Sequence, residues 1–383
     1  MKNKKIIFLI PTLSIGGGER VVSELSLNLP NYIKTTFVLF KNEVSYPYKG
    51  DLICLNLPIS NNFFSRIYWF FVGISRFKKT VKKEKPDYVI SFSMQADIIN
   101  VLSNKKSDKK TILRIDNFTS AVCKGLEGRI YKIFIKLLFN KSFQIISVSR
   151  VAADDLVKNF GIKKEKIKVI YNPLNVEKIQ QLMIEPIEDK YQEIFKNPVI
   201  INIGRITKQK SQWHLIRAFK NVKDEIKEAK LVILGKGELE PYLKQLIKDL
   251  NLENDVHLLG WQENPFKFLA KSKAFVLSSL WEGLPYVILE AMTCGLPIIS
   301  VDCKSGPREI LAPNSDINRA AQDIEYADYG ILCPIKNEKK LAQAMIEILT
   351  NKKLSDNLIK KSKQRVDHFD IKKIIKKWDF LSR

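Results

Sequence analysis

Residues 198–210 read PVIINIGRITKQK, a short apolar run followed directly by glycine, arginine and a polar turn. Consecutive apolar and β-branched residues over 199–203 are typical of a strand that is buried on both faces of a parallel sheet. A helix is expected to start at Lys210, as for a strand followed by a crossover helix. The run lies in the middle of a 383-residue chain and restarts a strand-and-helix series. We therefore predict two α/β domains.

Apolar runs of similar length alternate with helical patterns on both sides of this stretch. The first half contains KIIFLI, TTFVLF, DYVISF, TILRI and FQIISV, and the second half adds AKLVILG, DVHLL, AFVLSS and LPIISV. This order predicts two Rossmann-like domains with parallel sheets, which face each other across a cleft and bind ligands at the carboxyl ends of their strands. We assign residues 1–172 to an acceptor-side domain and 173–365 to a nucleotide-sugar-binding domain. The pattern over residues 366–383 predicts a basic amphipathic helix. It does not indicate where this helix docks.

The composition restricts the class of partner. The chain has 64 Lys and Arg against 41 Asp and Glu, a formal net charge of +23, which favours an anionic ligand or an anionic membrane surface. Zinc-finger spacing and RNP-type aromatic motifs are absent from the sequence, so we do not expect nucleic acid as a partner. The five cysteines show no C-x-x-C spacing, which indicates reduced cytosolic thiols rather than a metal cluster or a disulfide framework.

Two apolar segments raise the question of membrane contact. The run 63–74 carries Arg66 and is shorter than the ~20 residues that span a bilayer, so we predict no transmembrane helix. Helices predicted over 65–84 and 124–142 each combine an apolar stripe with a basic face. We favour a stripe that covers the sheet; the alternative is a surface that rests on anionic lipid. In the second helix the stripe comprises Leu126, Ile130, Ile133, Phe134, Leu137 and Leu138.

A glycine-rich turn, IGGGER over 15–20, follows the first strand and opens a helix. Glycines there let a backbone approach a phosphate, and the helix N-terminus adds free N–H groups. The spacing is not the G-x-G-x-x-G of a dinucleotide site. Phosphate binding and a tight structural turn both remain open from these residues alone.

Arg205 and Lys210 follow the strand at 199–203, on either side of the turn that leads into the next helix. Arginine forks onto phosphate oxygens and lysine adds a point charge, so this pair can neutralise a diphosphate without a metal. The alternative is a solvated charge run, but the position at a strand end favours the site.

Two glutamates in SSLWEGLPYVILEAM, residues 278–292, suit sugar hydroxyls. A carboxylate accepts hydrogen bonds from hydroxyl groups and is a poor phosphate ligand. Glu282 lies in a loop, whereas Glu290 lies in a helix that is apolar nearly all round. We therefore expect Glu290 to be buried and partnered rather than exposed.

These segments together resemble a family 4 retaining glycosyltransferase with the GT-B fold. The resemblance rests on GGGER, SVSRVAADDLVKNFGIKKEKIKVIYNP, GRITKQK, LVILGKGELEPYL, VHLLGWQENP, SSLWEGLPYVILEAMTCGLPIIS and SGPREIL, and it covers most of the chain. It implies a nucleotide-sugar donor, no bound metal and no other cofactor. It also implies a donor site in which Gly16 and Gly17 lie near the phosphates, Arg205 and Lys210 bind the diphosphate, Glu282 contacts the transferred sugar, Glu290 contacts the ribose, and Gly235 and Trp261 seat the base.

The sequence departs from the family pattern in two places. Ser211 stands where a glycine commonly follows the lysine. The first half contains no histidine, although many members carry one on the acceptor side. The segment LRIDNF offers Asp116 instead, either as a group that orients or deprotonates the acceptor hydroxyl or as an ordinary cap or turn residue. In such enzymes the leaving diphosphate itself can accept the proton.

The resemblance gives an expected function. We expect transfer of a hexose or N-acetylhexosamine, from a donor that is UDP-linked, to a lipid-linked or growing glycan acceptor in surface polysaccharide, lipopolysaccharide or glycan biosynthesis. The expected location is cytoplasmic, peripheral at the inner face of the cell membrane. Alternatives are a GT-B nucleotide-sugar epimerase, a phosphorylase, or a catalytically silent nucleotide-sugar-binding scaffold.

Overall fold

A computed structural model describes residues 4–14, 16–58, 63–104 and 110–382. The chain divides into two compact units, each with its own sheet. The first unit comprises Met1–Pro173 together with Ile371–Arg383, and the second comprises Leu174–Asp370. The sequence thus contains two α/β domains with parallel sheets, as predicted.

The first unit contains a seven-stranded parallel sheet in the order β3-β2-β1-β4-β5-β6-β7. Its strands are β1 (Lys4–Ile10), β2 (Ile33–Leu39), β3 (Asp51–Cys54), β4 (Tyr88–Phe92), β5 (Lys110–Ile115), β6 (Gln144–Ser147) and β7 (Ile167–Val169). The helices that connect them are α1 (Gly17–Asn28), α2 (Phe63–Glu84), α3 (Met94–Ser103), α4 (Thr119–Val122), α5 (Gly125–Leu138) and α6 (Arg150–Phe160). The central strands are apolar on successive residues because helices cover both faces of the sheet.

The second unit repeats this plan with the order β10-β9-β8-β11-β12-β14-β13, in which only β13 is antiparallel to its neighbour. Its strands are β8 (Val199–Ile203), β9 (Lys230–Leu234), β10 (Val256–Gly260), β11 (Ala274–Leu277), β12 (Ile298–Val301), β13 (Glu325–Ala327) and β14 (Gly330–Cys333). Its helices are α7 (Val176–Leu182), α8 (Asp189–Phe195), α9 (Gln212–Glu225), α10 (Glu240–Asp249), α11 (Phe266–Lys271), α12 (Tyr286–Thr293), α13 (Pro307–Leu311), α14 (Glu338–Thr350) and α15 (Lys352–Val366).

The end of the chain differs from the single helix predicted for 366–383. After α15, a 3-10 turn over Asp367–Phe369 leads to α16 (Ile371–Ile374), and a second 3-10 segment follows over Ile375–Ser382. This segment packs on the first unit, where Ile374 and Trp378 are buried. The Tyr88 hydroxyl donates to the carbonyl of Phe380 at 3.2 Å, which fixes the segment to β4. Burial of these apolar side chains against the sheet, rather than continued helix, therefore decides its path.

Each apolar run predicted to be a strand coincides with an observed strand. The four strands not named in advance, β3, β7, β13 and β14, are three or four residues long. The predicted strands β6, β11 and β12 are also four residues long, but they lie within longer apolar runs. The other four are recognised as strands by their pairing with a neighbour. Within the described part of the chain, the helices lack the combination of length and apolar character that crossing a bilayer requires.

Candidate functional site

Both residues predicted to bind the diphosphate, Arg205 and Lys210, follow the carboxyl end of β8. Gly204 and Arg205 follow the strand, and Lys210 completes the turn before α9. The aliphatic chain of Lys210 runs past Gly204, since an added Cβ at Gly204 would lie 3.3 Å from the Lys210 Cε. The Arg205 side chain is exposed and forms no ion pair with a described residue. The guanidinium is therefore available to an anionic ligand.

Lys210 forms an ion pair with Glu282, the residue predicted to contact the transferred sugar. Its Nζ lies 2.6 Å from Glu282 Oε1, and the two side chains are 17% and 7% exposed. The loop after β11 is fixed to the same turn, because Ser278 Oγ donates to the Lys210 carbonyl at 2.8 Å and the Leu280 N–H donates to the Gln209 carbonyl at 2.8 Å. The fold thus brings together a cation and a carboxylate that are 72 residues apart in sequence.

The backbone conformation of Ser211, the residue after Lys210, explains why a glycine is common at this position in the family. Ser211 is the N-cap of α9 and has φ 56 and ψ 37, in the left-handed region. Glycine adopts this conformation without the steric cost that a Cβ brings. Its Oγ is also buried without a hydrogen bond to a described residue. Ser211 therefore occupies a strained position at the site.

Gly235 and Trp261, predicted at the base, follow the neighbouring strands β9 and β10. Gly235 has φ 146, and an added Cβ there would lie 2.0 Å from the Gly204 carbonyl oxygen. The Gly235 N–H donates to the Gly260 carbonyl at 2.8 Å, next to the half-exposed Trp261. Only glycine permits this close approach of the loops, so the sequence requirement at residue 235 has a steric cause.

Glu290 is buried, 4% exposed, within α12. Its neighbours Leu289, Ala291 and Met292 are all fully buried. The prediction of a buried glutamate is therefore confirmed, and a polar environment for its carboxyl is required by the cost of burying it unpaired.

A second loop, after β12, supports the Glu282 loop. The Glu282 N–H donates to the Lys304 carbonyl at 3.3 Å, and Ser305 Oγ donates to the Gly283 carbonyl at 2.8 Å. Gly306 has φ 87, and an added Cβ there would lie 2.5 Å from Pro285 Cδ. These contacts fix the backbone on both sides of Glu282.

A buried ion network lies next to this second loop. Arg308 Nη2 lies 2.5 Å from Asp302 Oδ2 and 2.9 Å from Glu325 Oε2, and the Arg308 and Asp302 side chains are each 3% exposed. The hydrogen bond from Arg308 lowers the pKa of Glu325 below its usual value. The Ala321 N–H also donates a hydrogen bond to Asp302 Oδ2 at 2.6 Å. The network connects the end of β12, α13 and β13.

In the first unit, the glycine turn opens α1 at the end of β1. Gly16 is the N-cap residue with extended backbone, and an added Cβ at Gly17 would meet nothing within 4 Å. Gly18, which the sequence analysis did not single out, lies against Asp116, whose Oδ2 would be 3.2 Å from an added Cβ. The turn thus leaves open space at Gly17 and admits a carboxylate at Gly18.

Asp116 does not cap a helix, because the N-cap of α4 is Phe118. Its Oδ1 accepts from Arg114 Nε at 2.9 Å. The Arg114 guanidinium lies between the rings of Phe92 and Trp378, with centroid distances of 6.0 and 5.9 Å. Burial raises the pKa of Asp116, and the charge of Arg114 opposes that rise. The structure therefore excludes a helix cap at Asp116, while the turn residue and the acceptor-side group both stay as interpretations.

Asp116 lines a cavity of about 530 Å³ inside the first unit. Its floor consists of the ends of β1, β4 and β5, and α5 forms one wall through Tyr131 and Ile135. Asp97, on the first turn of α3, also lines it. Sequence reasoning missed Asp97 because it follows a strand by five residues within a helix, and no motif marked it.

The apolar stripe predicted to cover the sheet from α5 is largely exposed instead, which corrects the favoured interpretation. The exposed fractions are 38% for Ile130, 58% for Ile133, 38% for Phe134 and 61% for Leu137. Of the predicted stripe, Leu138 is buried in the core, and the helix otherwise packs through the adjacent face, which carries Gly128, Tyr131 and Ile135. Apolar residues occupy two faces of this helix, so periodicity could not select the buried one. The side chain of Leu126 lies outside the described residues.

On α2, Tyr68 and Phe71 are 63% and 68% exposed, although the same helix packs into the core through Phe77. Both α2 and α5 contact α3.

Across the described ranges, no group of three or more His, Cys, Asp or Glu side chains is arranged to hold a metal ion.

Comparisons with known proteins agree with this division of the chain. Residues 15–178 match the family described as Glycosyltransferase Family 4, and residues 183–365 match that described as glycosyl transferases group 1. An uncharacterized glycosyltransferase of Methanocaldococcus jannaschii is 40% identical over 332 residues, which cover 79% of this chain and 80% of that protein.

Two further similarities span nearly the whole chain. A Campylobacter jejuni protein named N-acetylgalactosamine-N,N'-diacetylbacillosaminyl-diphospho-undecaprenol 4-alpha-N-acetylgalactosaminyltransferase is 29% identical over 377 residues, 97% of each chain. The crystal structure of Anabaena HepE in complex with UDP and glucose has a TM-score of 0.79 and 18% identity, with 99% of each chain covered. The second similarity bears on the fold alone.

Proposed function

Because this chain belongs to glycosyltransferase family 4 and has the two α/β domains of the GT-B fold, we propose that it transfers a hexose or N-acetylhexosamine from a UDP-linked sugar to a lipid-linked glycan. The transfer retains the anomeric configuration and uses neither a metal nor another cofactor. The observation that carries this proposal is the Lys210–Glu282 pair, at 2.6 Å, beside the unpaired Arg205 at the end of β8.

The donor site follows from the chemistry of these groups. Arg205 and Lys210 bind the diphosphate, and an ammonium group has enough donors to keep Glu282 while it contacts a phosphate. Glu282 accepts from a hydroxyl of the transferred sugar and Glu290 from the ribose. Gly235 and Trp261 seat the base. In the first unit, the backbone at Gly16 and Gly17 is suited to a phosphate. An Escherichia coli relative, 28% identical over 228 residues, is named as a UDP-Gal-dependent galactosyltransferase, which supports a uridine nucleotide.

Catalysis in this site rests on leaving-group stabilisation. As the bond from the anomeric carbon to the diphosphate oxygen breaks, negative charge grows on that oxygen, and fixed cations stabilise it. Arg205 and Lys210 supply that charge. The departing diphosphate accepts the proton of the attacking acceptor hydroxyl on the same face of the sugar, which retains the configuration. Asp116 orients that hydroxyl.

The proposed acceptor class comes from the relatives. The Campylobacter jejuni protein is named for a diphospho-undecaprenol acceptor, and so is a second relative from the same organism, 25% identical over 383 residues. An Erwinia amylovora relative is named for amylovoran biosynthesis. We therefore place the reaction in surface polysaccharide or glycan biosynthesis, on a polyprenyl diphosphate carrier.

A lipid-linked acceptor requires the enzyme to work at a membrane surface. The exposed stripe on α5 (Ile130, Ile133, Phe134 and Leu137) is flanked by the exposed cations Arg129, Lys132 and Lys136. Exposed apolar residues beside basic ones are the pattern of a helix that lies in the headgroup region of an anionic bilayer. We propose that this face docks on the inner face of the cell membrane, with the protein on the cytoplasmic side.

The donor proposal is tested by thermal melting of the purified protein with UDP, GDP and a panel of UDP-sugars, each with and without EDTA. A ligand that binds the folded state raises the melting temperature by mass action. We expect a shift with one UDP-sugar that EDTA leaves unchanged, and an α-linked product by NMR from an α-configured donor. Release of free UDP with an epimerised sugar would indicate the epimerase, and binding without turnover would indicate the scaffold.

Membrane docking is tested by co-sedimentation with vesicles that contain phosphatidylglycerol or only phosphatidylcholine. The double variant Ile133→Gln/Leu137→Gln should lose binding to the anionic vesicles. The matched control is Ile184→Gln, which removes an apolar side chain that is 79% exposed in the second unit. Equal binding by both variants would assign the contact to another surface.

A further inference from the structure

The cavity of the first unit contains two buried polar groups that the protein leaves unsatisfied. Asp97 and Arg114 both line it and are each 1% exposed. Asp97 Oδ1 accepts from Ser91 Oγ at 2.6 Å, whereas Asp97 Oδ2 has no hydrogen-bond partner among the described residues. Arg114 Nη1 also has no hydrogen-bond partner among the described residues. Buried polar atoms in proteins are nearly always paired, so these two need partners from outside the protein, either a ligand or water in the cavity.

The protonation of Asp97 follows from its surroundings. The nearby cation Arg114 is committed through Nε to Asp116, at 2.9 Å, and through Nη2 to Asn172, at 2.6 Å. In the described ranges Asp97 takes part in no ion pair. A carboxylate buried without a counter-charge is costly, so the neutral form is favoured and its proton lies on the free Oδ2. Burial also raises the pKa of Asp97; the hydrogen bond from Ser91 opposes this rise and the charge of Asp116 adds to it.

The backbone before Asp97 is strained in a way that holds it at the cavity. Ser93 has φ 110 and ψ 152, a region that residues with a Cβ rarely adopt. Its side chain accepts from the Ala96 N–H at 3.3 Å and caps α3. The sharp turn between β4 and α3 therefore places Asp97 one turn into the helix. Strained backbone of this kind concentrates at binding sites.

We propose that Asp97 determines acceptor specificity by donating a hydrogen bond from its protonated carboxyl to an oxygen of the acceptor's terminal sugar. That sugar lies in the cavity and places its reacting hydroxyl at Asp116. The volume lies within the ~300–1,000 Å³ range of small-molecule sites. An acceptor that lacks this oxygen, or carries it on the other face, leaves Asp97 unpaired and is rejected. The inference depends on the glycosyl transfer proposed above.

The test compares Asp97→Asn with Asp97→Leu, which both keep the branched shape of the aspartate side chain. The amide of asparagine keeps one acceptor for Ser91 and one donor for the cavity, whereas leucine provides neither. The probe is a short-chain prenyl diphosphate that carries N-acetylgalactosamine, assayed for binding and for transfer from the UDP-sugar that the wild-type protein prefers. We expect an acceptor KM within threefold of wild type for Asp97→Asn and at least tenfold higher for Asp97→Leu.

The matched control is Asp155→Asn. Asp155 is also buried in the first unit, but its oxygens accept from the Ser120 N–H, Ser120 Oγ and Asn159 Nδ2, and it does not line the cavity. This substitution should lower the melting temperature and leave the acceptor KM unchanged. The UDP-induced shift should be the same in all four proteins. Its loss would indicate failure of the donor proposal and not of the Asp97 assignment.

A pH profile keeps the proposal falsifiable even if Asp97→Leu fails to fold. As pH rises through the raised pKa of Asp97, the wild-type protein loses the donor and its acceptor KM increases, whereas Asp97→Asn does not show this increase. Glu19, Arg114, Asp116, Lys124 and Tyr131 also line the cavity and are present in both proteins, so an increase that only the wild-type protein shows requires the carboxyl of Asp97. Coincident profiles would overturn the proposal. So would an equal loss in Asp97→Asn and Asp97→Leu, or failure of the wild-type protein to bind the probe.

Discussion

The ends of the two sheets differ in charge although their scaffolds match. The first five strand positions follow the same order in both units, so β1 corresponds to β8, β4 to β11 and β5 to β12. At the second sheet these ends carry exposed Arg205 and the Lys210–Glu282 pair. At the first they carry Asp97 and Asp116, with Arg114 bound to Asp116. One scaffold thus offers cations suited to phosphate at one sheet and carboxyl groups suited to hydroxyls at the other.

The comparison extends to a buried arginine–aspartate pair near the fifth strand of each sheet. Arg114 lies on β5 and pairs with Asp116, while Arg308 pairs with Asp302 directly after β12. In the first unit the arginine presents an unpaired nitrogen to a cavity. In the second unit Arg308 binds two carboxylates, Asp302 and Glu325. The first pair therefore leaves a donor for the proposed acceptor, and the second holds loops together.

The largest expected effect is on stability. Arg308→Ala leaves Asp302 buried without its counter-charge, so we expect the free energy of unfolding to fall by ~3–5 kcal/mol. Denaturant unfolding measures this change, and Arg319→Ala, an exposed arginine in the same unit, is the control. A loss no greater than that of Arg319→Ala would mean that the network contributes little and that the two pairs are not distinct in role.

The next effect is on the chemistry at the second sheet. Arg205→Ala removes a charged hydrogen bond to the diphosphate, which is worth ~1.5–3 kcal/mol, or roughly 10- to 150-fold in kcat/KM. Steady-state kinetics measures it. Lys208→Ala is the matched control because Lys208 is an exposed cation in the same turn. Wild-type turnover in Arg205→Ala would remove the diphosphate assignment.

The two glutamates separate the roles within that site. Glu290→Gln should weaken binding of free UDP and of UDP-sugar alike, because both ligands contain the ribose. Glu282→Gln should weaken only the UDP-sugar, since it frees Lys210 for the phosphates and removes a sugar contact. Isothermal titration with the two ligands measures the difference. Equal losses for both ligands in both variants would show that the roles are assigned wrongly.

The smallest expected effect concerns the turn itself. Ser211→Gly relieves a left-handed backbone and removes a buried unpaired hydroxyl, so we expect a gain of about 1 kcal/mol, or about 2–4 °C in Tm. Asn251→Gly is the control: Asn251 has φ 52, but asparagine tolerates this conformation, so the gain should be smaller. A lower Tm for Ser211→Gly would show that the serine makes a contact which offsets its strain.

The sequence determined the class of fold and much of the second site. Apolar runs of five or more residues identified the long strands, because strands buried on both faces must be apolar on successive residues. The spacing of GRITKQK and of the two glutamates indicated the residues that follow β8 and β11. These signals are local, since each depends on a strand and the turn that directly follows it.

Tertiary structure decided what depends on residues far apart in sequence. Asp97 became a site residue only when α3 packed beside β5, which placed it near Asp116 in one cavity. Gly128 packs on the Cys123 backbone, and this contact determines which face of α5 is exposed. The final segment packs on the first unit because Trp378 is buried there. In each case several arrangements satisfy the local pattern equally well. The choice among them comes from burial and from pairing across the fold, which no single stretch of sequence contains.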